Sequence, residues 1–297
     1  MDHSGDAGHR SQKNKKRLRI TLILSVTYMV AEFVGGVLTN SLALLADAGH
    51  MLADVGALAL SLFALWAAQK PVTSTHTYGY YRTEILAALV NGSTLVAISI
   101  YIFVEAYQRL AMIPEVQGTL MFGIASGGLL INLAGLCILN AGKSESLNIR
   151  GAWLHLLTDM LGSIGVIVAA VLIWKLGWHW VDPLASVLIC LLVLYSSWKL
   201  LKEVVAVLME GSPGHIDVDE VRNEILKING VEAVHDLHVW TITSGMVAFS
   251  AHVTAMEKHS QKRLLTTIQD TLRKRFRIAH GTIQIEPKDY NECEISI

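Results

Sequence analysis

An α-helical membrane protein, with six transmembrane helices and a small C-terminal α+β domain, is the fold class this sequence predicts. Three observations carry the prediction. Hydrophobic residues make up 52% of the 297 and charged residues only 16%, where a soluble globular domain carries about 25% charged. Six apolar stretches, at 18–38, 45–68, 85–108, 118–140, 152–175 and 181–201, each reach the ~20 residues that cross a bilayer as a helix. From residue 211 onward charges, Pro213, Pro287 and short amphipathic segments appear, and no further span fits.

The first apolar stretch follows a basic cluster of Lys13, Lys15, Lys16, Arg17 and Arg19. It is too long for a cleaved signal and lacks a small-residue cleavage site beyond it, so it reads as a retained span. Positive charges then fix the expected orientation. The N-terminal cluster, Lys70 and Arg82, Lys143 and Arg150, and Lys199 and Lys202 fall on one side, against Arg109 and Lys175 on the other. The positive-inside rule places the first group, both termini and the C-terminal domain in the cytoplasm of a cell with an inner membrane. The expected organisation is a cytoplasmic tail at 1–17, a membrane domain at 18–208 and a cytoplasmic domain at 209–297.

Within that last domain the order reads helix, strand, strand, helix, strand. Asp217 or Asp219 opens a helix that Asn229-Gly230 stops. Segments 233–242 and 246–256 are β-branched and apolar, with Ser244-Gly245 as the hairpin turn between them. Residues 258–276 form an amphipathic helix bearing Lys and Arg, and 281–286 return as a strand. Two packed layers result.

Composition also excludes partners. A formal net charge of −1 leaves no basic surplus to meet nucleic-acid phosphates. The three cysteines, Cys137, Cys190 and Cys293, show no paired spacing and hence no disulfide framework or CxxC knuckle. Twelve histidines against three cysteines point to nitrogen and oxygen as the donors for any bound metal.

The sharpest motif occurs twice. His50 precedes Asp54 by four residues in the second span, and His155 precedes Asp159 by four in the fifth. On a helix, i and i+4 share a face, so each pair projects an imidazole and a carboxylate in one direction. If the two helices face each other, four ligands surround one point. Zinc accepts that set in tetrahedral geometry. The absence of sulfur disfavours Cu(I), and two imidazoles disfavour magnesium and calcium. Cobalt, nickel and cadmium stay open. Ionisable groups near mid-bilayer cost at least about 2.5–3.5 kcal/mol each on insertion scales, so the two aspartates need metal, protons, a partner or water. A structural His–Asp hydrogen bond within each helix is the plain alternative. A histidine ligand must lose its proton before it binds metal. Its ordinary pKa near 6.5 then lets protons compete with metal at neutral pH. Such competition expects exchange of a divalent cation for protons.

Asp47 lies one turn before His50, and two readings stay open: an extension of the entry path, or a water-facing residue at the span's end. Glu32 and Glu105 are further acids within spans, the latter near a helix end. Asn91 and Asn132 suit interhelical hydrogen bonds. The C-terminal domain adds His235, His238, His252, His280 and Glu286. His235 and His238, at odd spacing, point to opposite faces of a regular strand, so they cannot share one site unless the strand bends. Ordinary polar strand positions are the alternative reading of this group. His3, His9, His179, His215 and His259 read as isolated surface residues.

These segments resemble the cation diffusion facilitator family, in its zinc-transporting branch. The resemblance rests on SLALLADAGHMLAD (Ser41–Asp54), YGYYRTEILAALVNG (Tyr78–Gly92), the pair His155 and Asp159, VHDLHVW (Val234–Trp240) and HGTIQIE (His280–Glu286), and it covers nearly the whole chain. It implies a homodimer in the lipid bilayer, with a cytoplasmic domain of ferredoxin-like, metallochaperone-like topology, exporting Zn2+ in exchange for protons. It implies His50, Asp54, His155 and Asp159 as the transport site, His235, His252 and Glu286 as cytoplasmic ligands, and His280 as their neighbour. The loop between spans two and three keeps His76 but offers Tyr78, Tyr80 and Tyr81 rather than a ligand cluster. The loop 142–151 lacks histidine, so no metal-collecting loop is expected. An intramembrane metalloenzyme would need an open coordination position and a general base. Four protein ligands leave no such position and no HExxH is present. A metal-sensing receptor is the other alternative, and flux across sealed vesicles separates it from a transporter.

Overall fold

The computed structural model describes residues 4–140, 147–256 and 260–288. His3, His259, Cys293 and the first part of the 142–151 loop lie outside them. Among the described residues, eight helices and three strands follow in order: α1 Ser4–Thr39, α2 Leu42–Ala68, α3 Thr83–Ala111, α4 Gly118–Asn140, α5 Leu147–Leu176, α6 Val181–Leu208, α7 Val218–Leu226, β1 Val231–Thr243, β2 Met246–Ala255, α8 Gln261–Phe276 and β3 His280–Glu286. Six of the helices carry stretches long and apolar enough to cross a membrane: Arg17–Thr39, Leu42–Ala64, Thr83–Ala111, Gly118–Asn140, Ala152–Leu176 and Val181–Leu208. Contacts divide the chain into two compact units, residues 1–59 with 91–199, and residues 60–90 with 200–297.

In the first unit α4 packs along α5, and α1 packs on α4. Small residues make the close approach possible, as expected where the solvent is lipid and helices associate through packing. At Gly128 of α4 an added Cβ would lie 2.0 Å from the Tyr28 hydroxyl of α1, so only glycine lets that ring lie flat on the neighbouring helix. Ala43, Leu44, Met121, Ala125, Val166, Ala169, Ala170 and Ile173 form a buried cluster at one end of the bundle. The same end holds a polar anchor. Asp182, fully buried at the start of α6, accepts from Ser41 Oγ (2.6 Å), Leu42 N (2.7 Å) and Ala43 N (3.3 Å). Those are the free donors of the first turn of α2, where the helix dipole also favours a carboxylate. The anchor sets the height and rotation of the helix that carries His50 and Asp54.

The second unit contains the α+β domain, in the αββαβ order that the sequence predicts. The sheet order is β1-β2-β3, with β1 antiparallel and β3 parallel to β2. Asp217 caps α7, its Oδ1 accepting from Asp219 N and Glu220 N. Val221, Ile225, Phe249, Val253, Ile268 and Leu272 join the two helices to one face of the sheet. Arg275 of α8 pairs with Glu220 and Glu224 of α7. Residues 60–90 belong to this unit. Glu84 accepts hydrogen bonds from Thr243 Oγ1 and from Ser244 Oγ (2.7 Å) at the hairpin turn.

The strand β1 does bend. His235 pairs with His252 and His238 pairs with Ser250, so three residues on β1 span two on β2. This is a β-bulge, with Asp236 at φ 47°, the left-handed region that Asp tolerates better than most residues. The bulge cancels the odd spacing. His235 and His238 therefore share the face of His252 and Ser250, contrary to the alternation expected of a regular strand.

Candidate metal sites

The two His-x-x-x-Asp pairs meet in the first unit. His155 Nε2 of α5 lies 3.4 Å from Asp54 Oδ2 of α2 and 3.6 Å from Asp159 Oδ2. His50 Nε2 lies 3.7 Å from Asp54 Oδ2, and the two imidazoles stand edge to face with centroids 6.3 Å apart. Ligand atoms around a tetrahedral zinc at 2.0–2.2 Å are separated by roughly 3.3–3.6 Å. Three of the six separations among these four side chains are thus close to that value. Among the described residues none offers a hydrogen-bond partner to the buried His50 Nδ1.

Two cavities reach these residues. One, of about 380 Å3, is lined by Leu18, Arg19 and Thr21 together with Asp54, His155 and Asp159. The other, of about 520 Å3, is lined by Asp47, His50, His155, Thr158, Asp159 and Gly162. The tetrad therefore borders both a space beside the start of the apolar stretch of α1 and a space reaching Asp47. Asp47 is 7% exposed, so it does not face water at the span's end, and it lines the second cavity beside His50; Glu32 of α1 is fully buried, its Oε1 accepting from the Tyr28 hydroxyl at 2.7 Å. Glu105 pairs with Arg109 at 2.9 Å near the end of α3. Asn132 donates to Ser163 Oγ at 3.3 Å across α4 and α5, an interhelical hydrogen bond as expected.

A second group forms on the sheet. His235, His252 and Glu286 each offer a ligand atom, and all three atoms lie within 4.8 Å of one another, the one such group of His, Cys, Asp or Glu among the described residues. His235 Nε2 is 3.2 Å from Glu286 Oε2, and His252 Nδ1 is 3.0 Å from Glu286 Oε1. The set is tighter than the tetrad because a rigid sheet holds it rather than two separate helices. Glu286 is 3% exposed and is steadied by Gln284, whose Nε2 donates to Oε1 at 2.8 Å.

His280 is not part of the cluster. It begins β3, six residues before Glu286, a run of roughly 20 Å along a strand, and it stacks edge-on against Tyr78 with centroids 5.8 Å apart. His238, brought to the same face by the bulge, lies with Nε2 2.9 Å from Asp236 Oδ1, and Asp236 Oδ2 lies 3.7 Å from His252 Nε2. The hydrogen bond from His238 holds the Asp236 carboxyl below its usual range, so it stays ionised beside the cluster. Sequence reasoning missed Asp236 and Gln284, because nothing in the alternation of a strand signals a bulge. His76 stacks on Tyr80 at 4.7 Å and its Nδ1 is 3.1 Å from Thr75 Oγ1. His179 is not simply solvated: its Nδ1 accepts from Val116 N at 3.1 Å.

Six helices long and apolar enough to span a membrane, four convergent histidine and aspartate side chains within them and an αββαβ domain with its own His–His–Glu group that could hold a metal ion define a class: polytopic membrane proteins that handle metal cations. Comparison with known proteins narrows it. Residues 18–209 match the cation efflux transmembrane domain, and 213–288 match the cytoplasmic domain of cation efflux proteins. The chain belongs to the cation efflux family, and it is a multi-pass membrane protein. It is 45% identical to the metal cation efflux system protein CzcD of Cupriavidus metallidurans, over 94% of this chain and 90% of the relative. It is 44% identical to a cadmium, cobalt and zinc/H(+)-K(+) antiporter of Bacillus subtilis, over 95% and 92%. To the zinc transporter ZitB of Escherichia coli it is 42% identical, over 98% and 93%.

Proposed function

We propose that this chain exports Zn2+ from the cytoplasm in exchange for protons, with His50, Asp54, His155 and Asp159 holding the cargo. One observation carries the reading: two i,i+4 pairs from separate spans bring two imidazoles and two carboxylates to one point between two cavities. Membrane cost explains why such groups are there at all. Metal and protons satisfy the same oxygens and nitrogens, so each displaces the other. The positive-inside distribution of the loops puts residues 1–17 and 209–297 in the cytoplasm, and the protein works as a homodimer. Its relatives include proteins named as zinc, cadmium and cobalt transporters, and the nitrogen-bearing site favours zinc among these.

The test is flux in proteoliposomes. With a pH gradient as the only driving force, zinc should move against protons, and vesicles with the purified chain that show no gradient-dependent flux would refute antiport. His50→Asp replaces a nitrogen donor with a harder oxygen. We expect the preference for zinc over cadmium to fall several-fold in that variant. An unchanged zinc-to-cadmium ratio would place selection elsewhere.

The C-terminal triad holds a second ion that stays with the protein. Glu286 supplies the one carboxylate of the triad and touches both histidines. Even residues that only orient a ligand are worth 10–100-fold in affinity. Glu286→Gln is therefore expected to weaken this site by at least about 100-fold. Chelator competition on the purified chain, with Asp159→Ala also present to disable the membrane site, measures it. A change under threefold would exclude Glu286 as a ligand.

A further inference from the structure

The end of the bundle that holds Asp182 also gathers three connections: 40–41 between α1 and α2, 112–117 between α3 and α4, and 177–180 between α5 and α6. Hydrogen bonds tie them together. Gln117 N donates to Thr39 O at 3.1 Å, and Asn40 Nδ2 donates to Glu115 O at 3.4 Å. Arg109 Nη1 donates to Asn40 O at 2.7 Å. Val116 N donates to His179 Nδ1 at 3.1 Å, joining the second connection to the third. An added Cβ at Gly118 would lie 2.7 Å from Trp174 N. The start of α4 therefore rests directly on the end of α5, and the connection before it has little slack.

Of the three bonds that fasten 112–117 to its neighbours, two run between amides and carbonyls and are indifferent to pH. The bond to His179 is not. Its donor is a backbone N–H, which can only donate, so Nδ1 is the bare nitrogen of a neutral imidazole. Imidazolium carries N–H at both nitrogens and accepts from nothing. A proton on Nδ1 would set two N–H groups face to face and strip Val116 N of its acceptor, in a residue only 3% exposed, where an unsatisfied donor is costly. His179 itself is half-buried, so water reaches it. The charged groups on the elements around it are Lys175 on α5, Asp182 on α6, Glu115 beside Val116, and Glu105 and Arg109 on α3; α4 has none. Asp182 is taken up by the first turn of α2, Glu105 and Arg109 by each other, and Lys175 by the Trp174 ring at 3.9 Å. Among the described residues none of them forms an ion pair with His179 that would hold it charged.

We propose that His179 is a pH-sensitive latch: neutral, it fastens the α3–α4 connection to the α5–α6 connection, and a proton taken up from the water on that side unfastens it and loosens this end of the bundle. Imidazole changes charge between about pH 5 and 8. The bond is therefore whole at the top of that range and lost as pH falls through it. One proton arrives at Nδ1 and one hydrogen bond breaks, with no other change of bonding. In the orientation proposed above, these connections face away from the cytoplasm, toward the proton-rich side. The latch then keeps that end closed at neutral pH and eases its opening where protons are abundant. This role in transport rests on the proposed function, whereas the latch itself does not.

Amide hydrogen exchange of the full-length chain in detergent tests the latch without any transport. Protection of the Val116 amide is taken relative to an unstructured peptide at the same pH. In wild type we expect it to fall at least ~10-fold between about pH 8 and about pH 5.5. His179→Asn puts a carbonyl oxygen where Nδ1 stands and cannot take a proton, so its protection should agree within about twofold at the two pH values. His179→Ala should be unprotected at both. Wild-type protection that does not change with pH overturns the latch. So does a fall of equal size in His179→Asn, because another group would then be titrating. The role in transport is read in proteoliposomes as the ratio of zinc flux in His179→Asn to that in wild type, which cancels protonation at the tetrad. With the same pH gradient throughout, we expect a ratio near one when the proton-rich side is at about pH 8, and about a third or less when it is at about pH 5.5. A ratio that ignores pH overturns that role. Wild-type vesicles with no gradient-dependent flux would instead refute antiport and leave the exchange result standing.

Discussion

Zinc flux through the Asp159→Ala variant is expected to fall to the level of empty liposomes, a loss of at least ~100-fold. Asp159 supplies one of the two carboxylates at the site and lies 3.6 Å from His155 Nε2. Its side chain is the most enclosed of the four, at 11% exposed against 29%, 38% and 46% for His50, Asp54 and His155. Water is poorly placed to replace it. Without it two imidazoles face one carboxylate, the net charge of a zinc-loaded site rises by one, and that charge must be held among apolar helices. A ligand lost from a tetrahedral set also opens a coordination position and weakens binding. Asp159→Asn is the useful companion, since it keeps volume and loses charge. Flux in both variants should be equally absent, and retention of more than a tenth of wild-type flux in either would remove Asp159 from the site. Proper folding is checked on the same preparations through metal binding at His235, His252 and Glu286, which Asp159 does not touch.

Much of this arrangement was legible before any coordinates. The span limits follow from apolar run length, whereas the helices run on past it: α1 starts at Ser4, well before the apolar stretch that begins at residue 18, and α6 continues to Leu208 beyond residue 201. The His50–Asp54 and His155–Asp159 pairs are readable because a helix has one period and i,i+4 always shares a face. That α2 and α5 then bring these faces together depends on tertiary packing, and only the repetition of the motif hinted at it. The αββαβ order was likewise readable from alternation and from the Ser244-Gly245 turn. What stayed hidden is what breaks a period. Asp236 adopts a positive φ without being glycine, and the resulting bulge moves His238 to the other face, a shift that strand alternation cannot foresee. The fate of Asp47 was hidden for a different reason. Whether it meets water or lies buried, as it does at 7% exposed, is decided by how the neighbouring helices lie against α2, and the spacing of one helix alone contains no information on that.

The anchor at Asp182 gives the second large effect, on stability rather than on flux. Asp182→Ala removes the acceptor for Ser41 Oγ, Leu42 N and Ala43 N in a place where all these groups are buried. Each buried donor left unsatisfied costs about 1–3 kcal/mol, and deleting one member of a buried charged hydrogen-bonded set typically costs 3–5 kcal/mol. Lipid supplies no replacement hydrogen bonds. The chain should therefore lose on the order of 3–5 kcal/mol, read as a large drop in the thermal unfolding midpoint in detergent and in the yield of monodisperse protein. Ser41→Ala is the control, because it keeps the two backbone bonds to Asp182 and loses only the Ser41 hydroxyl, with its bond to Asp182 and its cap on Leu44 N (3.2 Å), and should cost about 1–2 kcal/mol. Asp182→Asn should fall between them, since one carbonyl oxygen remains to serve three donors and the new amide group needs an acceptor of its own. If Asp182→Ala were no less stable than Ser41→Ala, the carboxylate would not be what holds the start of α2. His50 and Asp54 would then owe their position to apolar packing around Leu42, Ala43 and Leu44 alone.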